Sequence, residues 1–321
     1  MQAITSVNSS SSNLTIYNSK NLGVSFDDIK QAHDRIKPHI HKTPIMTSSV
    51  INDMSGFELY FKCENLQKVG AFKYRGACNS ILKLDEQDAK KGVVTHSSGN
   101  HGQAIAKAAQ LRGIPAYIVV PNNAPKVKLD AIRGYAGESN VVLCQPNLQS
   151  RESTCNDLIT KTGCTLIHPF DNADVIAGQG TVAIELLSQV DNLDVIICPI
   201  GGGGVLSGVC IAAKTLNPDI KIIGVEPLGA DDAARSLEAG EALPHLPGKP
   251  NTIADGLLTC VGKLNFPIVQ SLCDGIITVD DEEIKYALKT IWERMKIIVE
   301  PSSATVLAAW CQKDWTHCHW R

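Results

Sequence analysis

The 321 residues predict an α/β protein built from two parallel-sheet αβα domains. Three observations point there. Short β-branched runs alternate with amphipathic helical patterns from residue 25 onward. Two of those runs end in small-residue turns that open the next helix. Apolar residues make up 44% of the chain against 20% charged, enough for more than one core, while aromatics are only 5%, so Ile, Val, Leu and Ala must fill the interior. Strands separated by helices of roughly 10–15 residues connect through right-handed crossovers and form parallel sheets covered on both faces.

The elements follow in order. Residues 1–24 are rich in Ser and Asn with Lys20 as the single charge, and are expected to be a disordered tail. They show neither the basic-then-apolar order of a secretory signal nor the Arg content of a transit peptide. Ser25 followed by Asp28 predicts a capping box that opens a helix through Ile36, closed by Pro38. Val93–Ser97, Ala116–Val120, Val141–Cys144, Thr165–His168, Val195–Ile200, Ile220–Val225 and Ile276–Val279 read as strands. Gln103–Leu111, Thr181–Val190 and Val205–Leu216 read as the helices between some of them. Asp280 with Glu283 caps a long final helix, with Ile284, Leu288, Ile291 and Met295 on one face. The expected division is a large domain from 25–91 and 172–309 and a small domain over 92–171. Residues 310–321 form an atypical tail that holds three of the four tryptophans. Its His317-Cys318-His319 lacks the second ligand pair a metal knuckle needs.

Composition excludes several function classes. A formal net charge of −3 gives no reason to expect a nucleic-acid partner. Val195–Ala213 is uncharged and long enough to span a bilayer, but Pro199 and Gly201–Gly204 break it into strand, turn and helix, so no membrane partner is expected. Eleven cysteines without a CxxC pair read as reduced thiols, which implies a cytoplasmic protein.

Two strand–glycine–helix devices carry the chemistry: Val93-Val-Thr-His-Ser-Ser-Gly-Asn-His-Gly102, and Val195 through the tetraglycine Gly201, Gly202, Gly203, Gly204 to Gly208. Unpaired N–H groups and the positive end of the helix dipole gather at such a turn and favour an anion. No Lys-Ser/Thr follows the glycines, so a P-loop is excluded. A dinucleotide is a rival, with Glu226 about where a ribose-binding acid would sit. The G-x-G-x-x-G register nevertheless fails at Leu206 and Ser207, and one phosphate monoester fits the turn as well as a pyrophosphate. Gly70-Ala-Phe-Lys-Tyr-Arg-Gly-Ala77 adds a lysine among aromatics. A desolvated lysine has a lowered pKa and can attack a carbonyl. Lysine and phosphate turn together suggest pyridoxal phosphate.

Gly70–Ala77, His96-Ser-Ser98-Gly-Asn100-His-Gly102, Gly178-Gln-Gly-Thr181, Gly201–Gly204, Thr252-Ile-Ala-Asp-Gly256 and Glu300-Pro-Ser occur in that order. Over residues 25–309 the chain resembles the fold-type II pyridoxal-phosphate enzymes, specifically the serine racemase and serine/threonine dehydratase group. The resemblance implies a tryptophan-synthase-β-like fold and a homodimer. It implies a racemase and ammonia-lyase acting on serine, threonine or 3-hydroxyaspartate. Lys73 would form the Schiff base and act as base on one face of the substrate Cα, and Ser98 would be the acid/base on the other. Phe72 would pack beside the cofactor ring, Asn100 would donate to its 3-hydroxyl, and Gly201–Gly204 would cradle its phosphate. Ser98, Gly99, Asn100 and His101 would seat the substrate carboxylate. Glu226, the Ala230 carbonyl and Asp232 resemble a site for Mg²⁺, Ca²⁺ or Mn²⁺. Ser48, Ser49, Lys68, Gln103 and Lys296 match an ATP-effector site at the dimer interface of some racemases, with Val69 a departure. Phe170 departs from animal racemases toward dehydratases and plant-type racemases. The Ser-Gly-Gly-Asn strand that the group carries after Glu-Pro-Ser does not occur before Arg321. Two alternatives stand beside this reading: an NAD-dependent dehydrogenase built on 195–226, or a catalytically weak truncated isoform that only binds the cofactor or a partner subunit.

Overall fold

The computed structural model describes residues 2–4 and 22–311. In chain order the elements are β1 (Gln2–Ile4), α1 (Phe26–Ile36), β2 (Ile45–Met46), α2 (Ser49–Ser55), β3 (Phe61–Lys62), α3 (Lys73–Lys83), α4 (Glu86–Lys91), β4 (Val93–His96), α5 (Asn100–Arg112), β5 (Ala116–Pro121), α6 (Lys126–Ala136) and β6 (Val141–Cys144). They continue with α7 (Leu148–Thr162), β7 (Thr165–Leu166), α8 (Ala173–Gln189), β8 (Val195–Pro199), α9 (Gly204–Leu216), β9 (Lys221–Pro227), α10 (Asp232–Ala239), α11 (Asn265–Leu272), β10 (Gly275–Val279), α12 (Asp281–Met295) and α13 (Pro301–Cys311).

Two sheets organise these elements. One has strand order β6-β5-β4-β7, all parallel. The chain leaves β4 toward β5 and β6 on one side and returns to β7 on the other. The order therefore reverses at β4, and the turn after β4 is the switch point where open α/β sheets bind ligands. The second sheet has order β1-β8-β9-β10, with β8, β9 and β10 parallel.

Both sheets are buried on both faces, and side-chain alternation sorts the residues between them. Ile196, Cys198 and Ile222 pack with α9 and α11, while Ile197, Ile223, Val225 and Ile277 pack with α12 and α13. In the other sheet Val93, Ile118 and Val120 meet α5 and α6, and Val94 and Val119 meet Cys155 of α7. The capping boxes at Ser25–Asp28 and Asp280–Glu283 are both formed.

Three expectations change, and one helix is added to them. Residues 2–4 form a strand antiparallel to 195–197, not part of a tail without structure. Without it β8 would be an open edge, and a short extended segment satisfies its free N–H and C=O groups. The rest of the 1–24 expectation lies outside the described residues. The helix expected from Thr181 starts at Ala173, because Gly178 and Gly180 are contact points within a helix and not breakers. The helix over Lys73–Lys83 is not among the expected ones, although Tyr74, Ala77, Cys78 and Ile81 are spaced as one helical face and pack into one core; Arg75, Asn79 and Ser80 on its other faces are buried too. The atypical tail does not begin at 310. Trp310 lies in α13, 6% exposed, with its ring 4.7 Å from that of Phe57. Residues 312–321, His317-Cys318-His319 included, lie outside the described residues.

Helix crossings rest on glycine. A Cβ at Gly178 would stand 2.6 Å from Gly76 Cα, and one at Gly208 would stand 2.5 Å from Gly180 N. So α8 touches α3 and α9 with backbone against backbone, and Gly178-Gln-Gly-Thr181 is a packing motif. Among the described residues no helix is long and apolar enough to cross a membrane. Gly208→Ala is expected to destabilise the fold by about 1–3 kcal/mol, the range for overpacking. Urea unfolding of the variant beside wild type measures it, and an unchanged midpoint would remove the close-approach argument.

Candidate active site

Lys73 is the first residue of α3, half-buried at the wall of the cleft between the two sheets. Its Nζ donates to the Pro169 carbonyl at 2.9 Å and stands 5.4 Å from the centre of the Phe72 ring. Among the described residues no carboxylate pairs with it. Burial alone pushes its pKa down to about 8, so a neutral amine is accessible near physiological pH.

The histidines around it add no charge. His101 is buried, its Nε2 lies 3.3 Å from the Ile167 carbonyl, and burial holds its pKa well below the usual value. Burial pushes His168 down to about 4, and its Nδ1 accepts from the Asp171 N–H at 2.9 Å. His96 is lowered by burial as well. The segment 167–170 therefore gathers the site: its carbonyls hold Lys73 and His101, and Phe170 continues to the tetraglycine.

Phe170 packs directly on that turn. A Cβ at Gly202 would stand 2.3 Å from the Phe170 ring, and one at Gly204 would stand 3.1 Å from Phe170 Cβ. Gly203 has φ +87°, and a Cβ there would meet Asn265 at 2.9 Å; a Cβ at Gly201 would meet Leu257 at 3.0 Å. The wall so formed leaves only glycine at these positions. Asn265 Nδ2 donates to the Phe170 carbonyl at 3.1 Å, which ties the wall together.

Two helix starts open into this space without a side-chain cap. α9 begins after Gly203 and α5 after Gly99; α3, α6, α10 and α11 also start without one, whereas α1, α2, α4, α7, α8 and α12 each have a capping side chain. In α9 the first N–H that bonds backward is Ser207, to Gly203 O at 2.8 Å. Among the described residues the backbone N–H groups of 201–206 have no acceptor, and neither do those of 100–102. Those open donors, a countercharge-free lysine and a glycine-only wall fit a phosphate-bearing aldehyde such as pyridoxal phosphate.

The remaining expected residues fall as follows. Ser98 lies on the turn after β4, at the switch point, and its hydroxyl has no partner among the described residues. A Cβ at Gly99 would meet open space. Asn100 Nδ2 donates to both carboxylate oxygens of Glu300, at 2.8 and 2.9 Å. With the Lys128–Asp255 ion pair, this contact bridges the halves of the cleft. Sequence reasoning quoted Glu300 but assigned it no role, and it missed Phe170 and Asn265 as parts of the wall. Residues 170, 202 and 265 come together only in the fold.

Glu226 does not face a ribose. It is buried, and its carboxylate accepts from Ala233 and Ala234 N–H at 3.1 and 2.7 Å at the start of α10. Burial pushes its pKa up to about 8, despite those bonds. Asp232, also buried and also raised, accepts from Val261 N–H at 2.9 Å. The Ala230 carbonyl receives no hydrogen bond among the described residues. Two buried acids beside an open carbonyl suit a hard divalent cation. Ser48 is used as the N-cap of α2, with Ser49 following it. α2 lies against α12, which ends at Lys296, and Lys68 sits in a turn against α5, which carries Gln103.

Comparison with known proteins agrees with this geometry. The family model "Pyridoxal-phosphate dependent enzyme" matches residues 36–316. Serine racemase of Dictyostelium discoideum is 62% identical over 286 residues, 89% of this chain and 88% of the relative. The structure of maize serine racemase superposes with a TM-score of 0.90 at 48% identity, covering 92% of this chain and 89% of that one. The crystal structure of threonine deaminase from T.th. gives a TM-score of 0.83 at 41% identity, with coverages of 91% and 93%. A fold built on parallel strands, a desolvated lysine and a tetraglycine turn with open N–H groups therefore have one common explanation: the chain belongs to the pyridoxal-phosphate dependent enzymes.

Proposed function

We propose that the chain is a serine racemase that also dehydrates L-serine and L-threonine. The observation that carries this reading is Lys73, an amine with no countercharge whose pKa falls to about 8 through burial. Pyridoxal phosphate, when bound, delocalises the electron pair left on an amino acid's Cα. Lys73 Nζ would hold its aldehyde, Gly201–Gly204 would hold its phosphate, and Phe72 and Asn100 would stand beside its ring.

The substrate carboxylate sits on the open N–H groups at the start of α5, with Ser98, Gly99, Asn100 and His101 around it. Lys73 takes a proton from one face of Cα, and Ser98 Oγ returns one to the other. That exchange inverts the centre. Departure of the β-hydroxyl gives, after hydrolysis, a 2-oxo acid and ammonia. Serine, threonine and 3-hydroxyaspartate all carry that hydroxyl. The cleft keeps bulk water from Cα by burying Lys73 behind Pro169 and Phe170.

Further parts of the reading rest on local chemistry. Glu226, Ala230 and Asp232 would hold Mg²⁺, Ca²⁺ or Mn²⁺, a cation that offsets two buried acids. A homodimer is supported by Met54, Tyr286, Trp292 and Ile298, which stand exposed on α2, α12 and the segment after it. An ATP effector would use Lys68 and Lys296 for its phosphates, with Ser48, Ser49 and Gln103 beside them. Domains over 25–91 with 172–309, and over 92–171, would close on the substrate. A cytoplasmic location follows from eleven cysteines read as thiols.

Two measurements test the reading. Lys73→Ala is expected to abolish both pyruvate and D-serine formation, and hydride reduction of wild type should leave the pyridoxyl group on the peptide that carries residue 73. Ser98→Ala is expected to lower racemisation by about 10²-fold or more while L-serine dehydration falls far less. An equal loss of both activities would remove Ser98 from the second face.

The metal reading has its own sign. An acid whose folded pKa is raised binds its proton more tightly when folded, so stability falls as pH climbs from the unfolded to the folded value. For Glu226 that window runs from its ordinary 4.5 to about 8. The buried His168 acts in the opposite sense only below 6.5, and Lys73 only above about 8. Between pH 6.5 and 8, without divalent ions, stability is expected to fall by up to about 1.4 kcal/mol per pH unit. Mg²⁺ or Glu226→Gln should flatten that slope in thermal melts; a slope that persists in the variant would dismiss Glu226 as its source.

A further inference from the structure

Behind the tetraglycine turn three side chains of different chemistry converge: Asp232 at the start of α10, His245 in the loop after it, and Cys260 in the segment that leads to α11. One donor atom of each lies within 4.8 Å of the other two. His245 Nδ1 is 3.4 Å from Asp232 Oδ1. The other ring nitrogen, Nε2, lies 3.2 Å from the Leu258 carbonyl. A carbonyl only accepts, so Nε2 carries the hydrogen, and in the neutral ring Nδ1 offers a lone pair. Nδ1 is buried without a hydrogen-bond partner.

A lone pair that faces an ionised carboxylate is repulsive unless a cation or a proton lies between. The separation of 3.4 Å equals the edge between two ligands that each stand about 2.1 Å from a tetrahedral ion. A doubly protonated imidazole would make the same two contacts as an ion pair; the thiol beside it is what turns the pair into a ligand set. The carbonyl on Nε2 is the outer partner that orients a metal-binding histidine.

Donor type then selects the ion. Magnesium and calcium take oxygen alone, whereas imidazole and thiolate suit zinc. We propose that Asp232, His245 and Cys260 form a tetrahedral Zn²⁺ site, with water as fourth ligand. As the ion binds, Cys260 releases its thiol proton to solvent and the sulfur electron pair forms the Zn–S bond. The proposal rests on the reading of Asp232 as a metal ligand, and it makes Zn²⁺ compete with the oxygen-ligated ion for that one carboxylate.

The position gives the ion a task. Val261, next to Cys260, would be 3.3 Å from a Cβ on Gly203, and its N–H bonds Asp232. Gly262 N–H donates to the Gly202 carbonyl at 3.1 Å. Zinc at Cys260 therefore anchors the segment that backs the phosphate cradle, and its occupancy regulates how firmly that cradle is held.

The test titrates metal-free holoenzyme with Co²⁺, a spectroscopic stand-in for zinc. The expected result is a thiolate-to-cobalt charge-transfer band in the near ultraviolet that saturates at about one ion per chain and is displaced by Zn²⁺. Cys260→Ser should lose the band, and His245→Asn should weaken cobalt binding by about tenfold or more. Glu226→Gln should keep the band, since it removes a ligand of the oxygen site alone. If the oxygen-site reading is wrong, Glu226→Gln leaves the Mg²⁺ response unchanged while the cobalt band still stands. Absence of the band in wild type, its survival in Cys260→Ser, or its loss in Glu226→Gln would overturn the zinc site. Circular dichroism of each metal-free variant confirms that it is folded.

Discussion

The approach of α3 to α8 is the constraint on which the rest depends. Gly76 and Gly178 let the two backbones touch, and no side chain fits between them. At that distance Arg75, fully buried on α3, donates from Nη1 and Nη2 to Glu185 on α8 at 2.8 Å each, and from Nε and the same Nη2 to Glu64 at 2.7 and 2.8 Å. Lys62 joins the same Glu185 at 2.7 Å. Such a network is held by geometry more than by net attraction, because each charge has left water. Removing one member would strand the others at a cost of about 3–5 kcal/mol. Lys73 is two residues from Arg75, so the contact that aligns the ion network also sets where the reactive amine stands.

The site can be understood as a division of charge. On the cleft side, a lysine without countercharge, three histidines held neutral by burial and two open helix starts make a region that welcomes an anion. On the far side of the tetraglycine turn, Glu226 and Asp232 are buried with pKa values raised by burial. Residues 257–265 join the two. Leu257, Val261 and Asn265 line the glycine turn, and Val261 N–H bonds Asp232. The two buried acids are therefore mechanically coupled to the glycine turn through this segment.

Much of this was legible in the chain. Capping boxes at Ser25 and Asp280 are local, since a side chain and an N–H three residues away decide them. The strands showed because buried parallel strands are runs of Val and Ile. Less was legible where burial is complete. α3 has Tyr74, Ala77, Cys78 and Ile81 at helical spacing, but Arg75, Asn79 and Ser80, buried on its other faces, read as a polar surface in the sequence. The glycines of α8 look like helix breakers until a second helix is laid against them, and Trp310 looks foreign until Phe57 stands beside it.

By itself the sequence determined the alternation of strands and helices, the glycine turns and a lysine set among aromatics, because each is written in neighbouring residues. Only the tertiary structure decided that Phe170 closes on Gly202, that Glu300 meets Asn100, and that Asp232, His245 and Cys260 share one pocket. The physical reason is that burial and close approach depend on residues far apart in the chain. Lys73 becomes a weaker base only when the fold desolvates it, with its Nζ turned to the carbonyl of Pro169, 96 positions away.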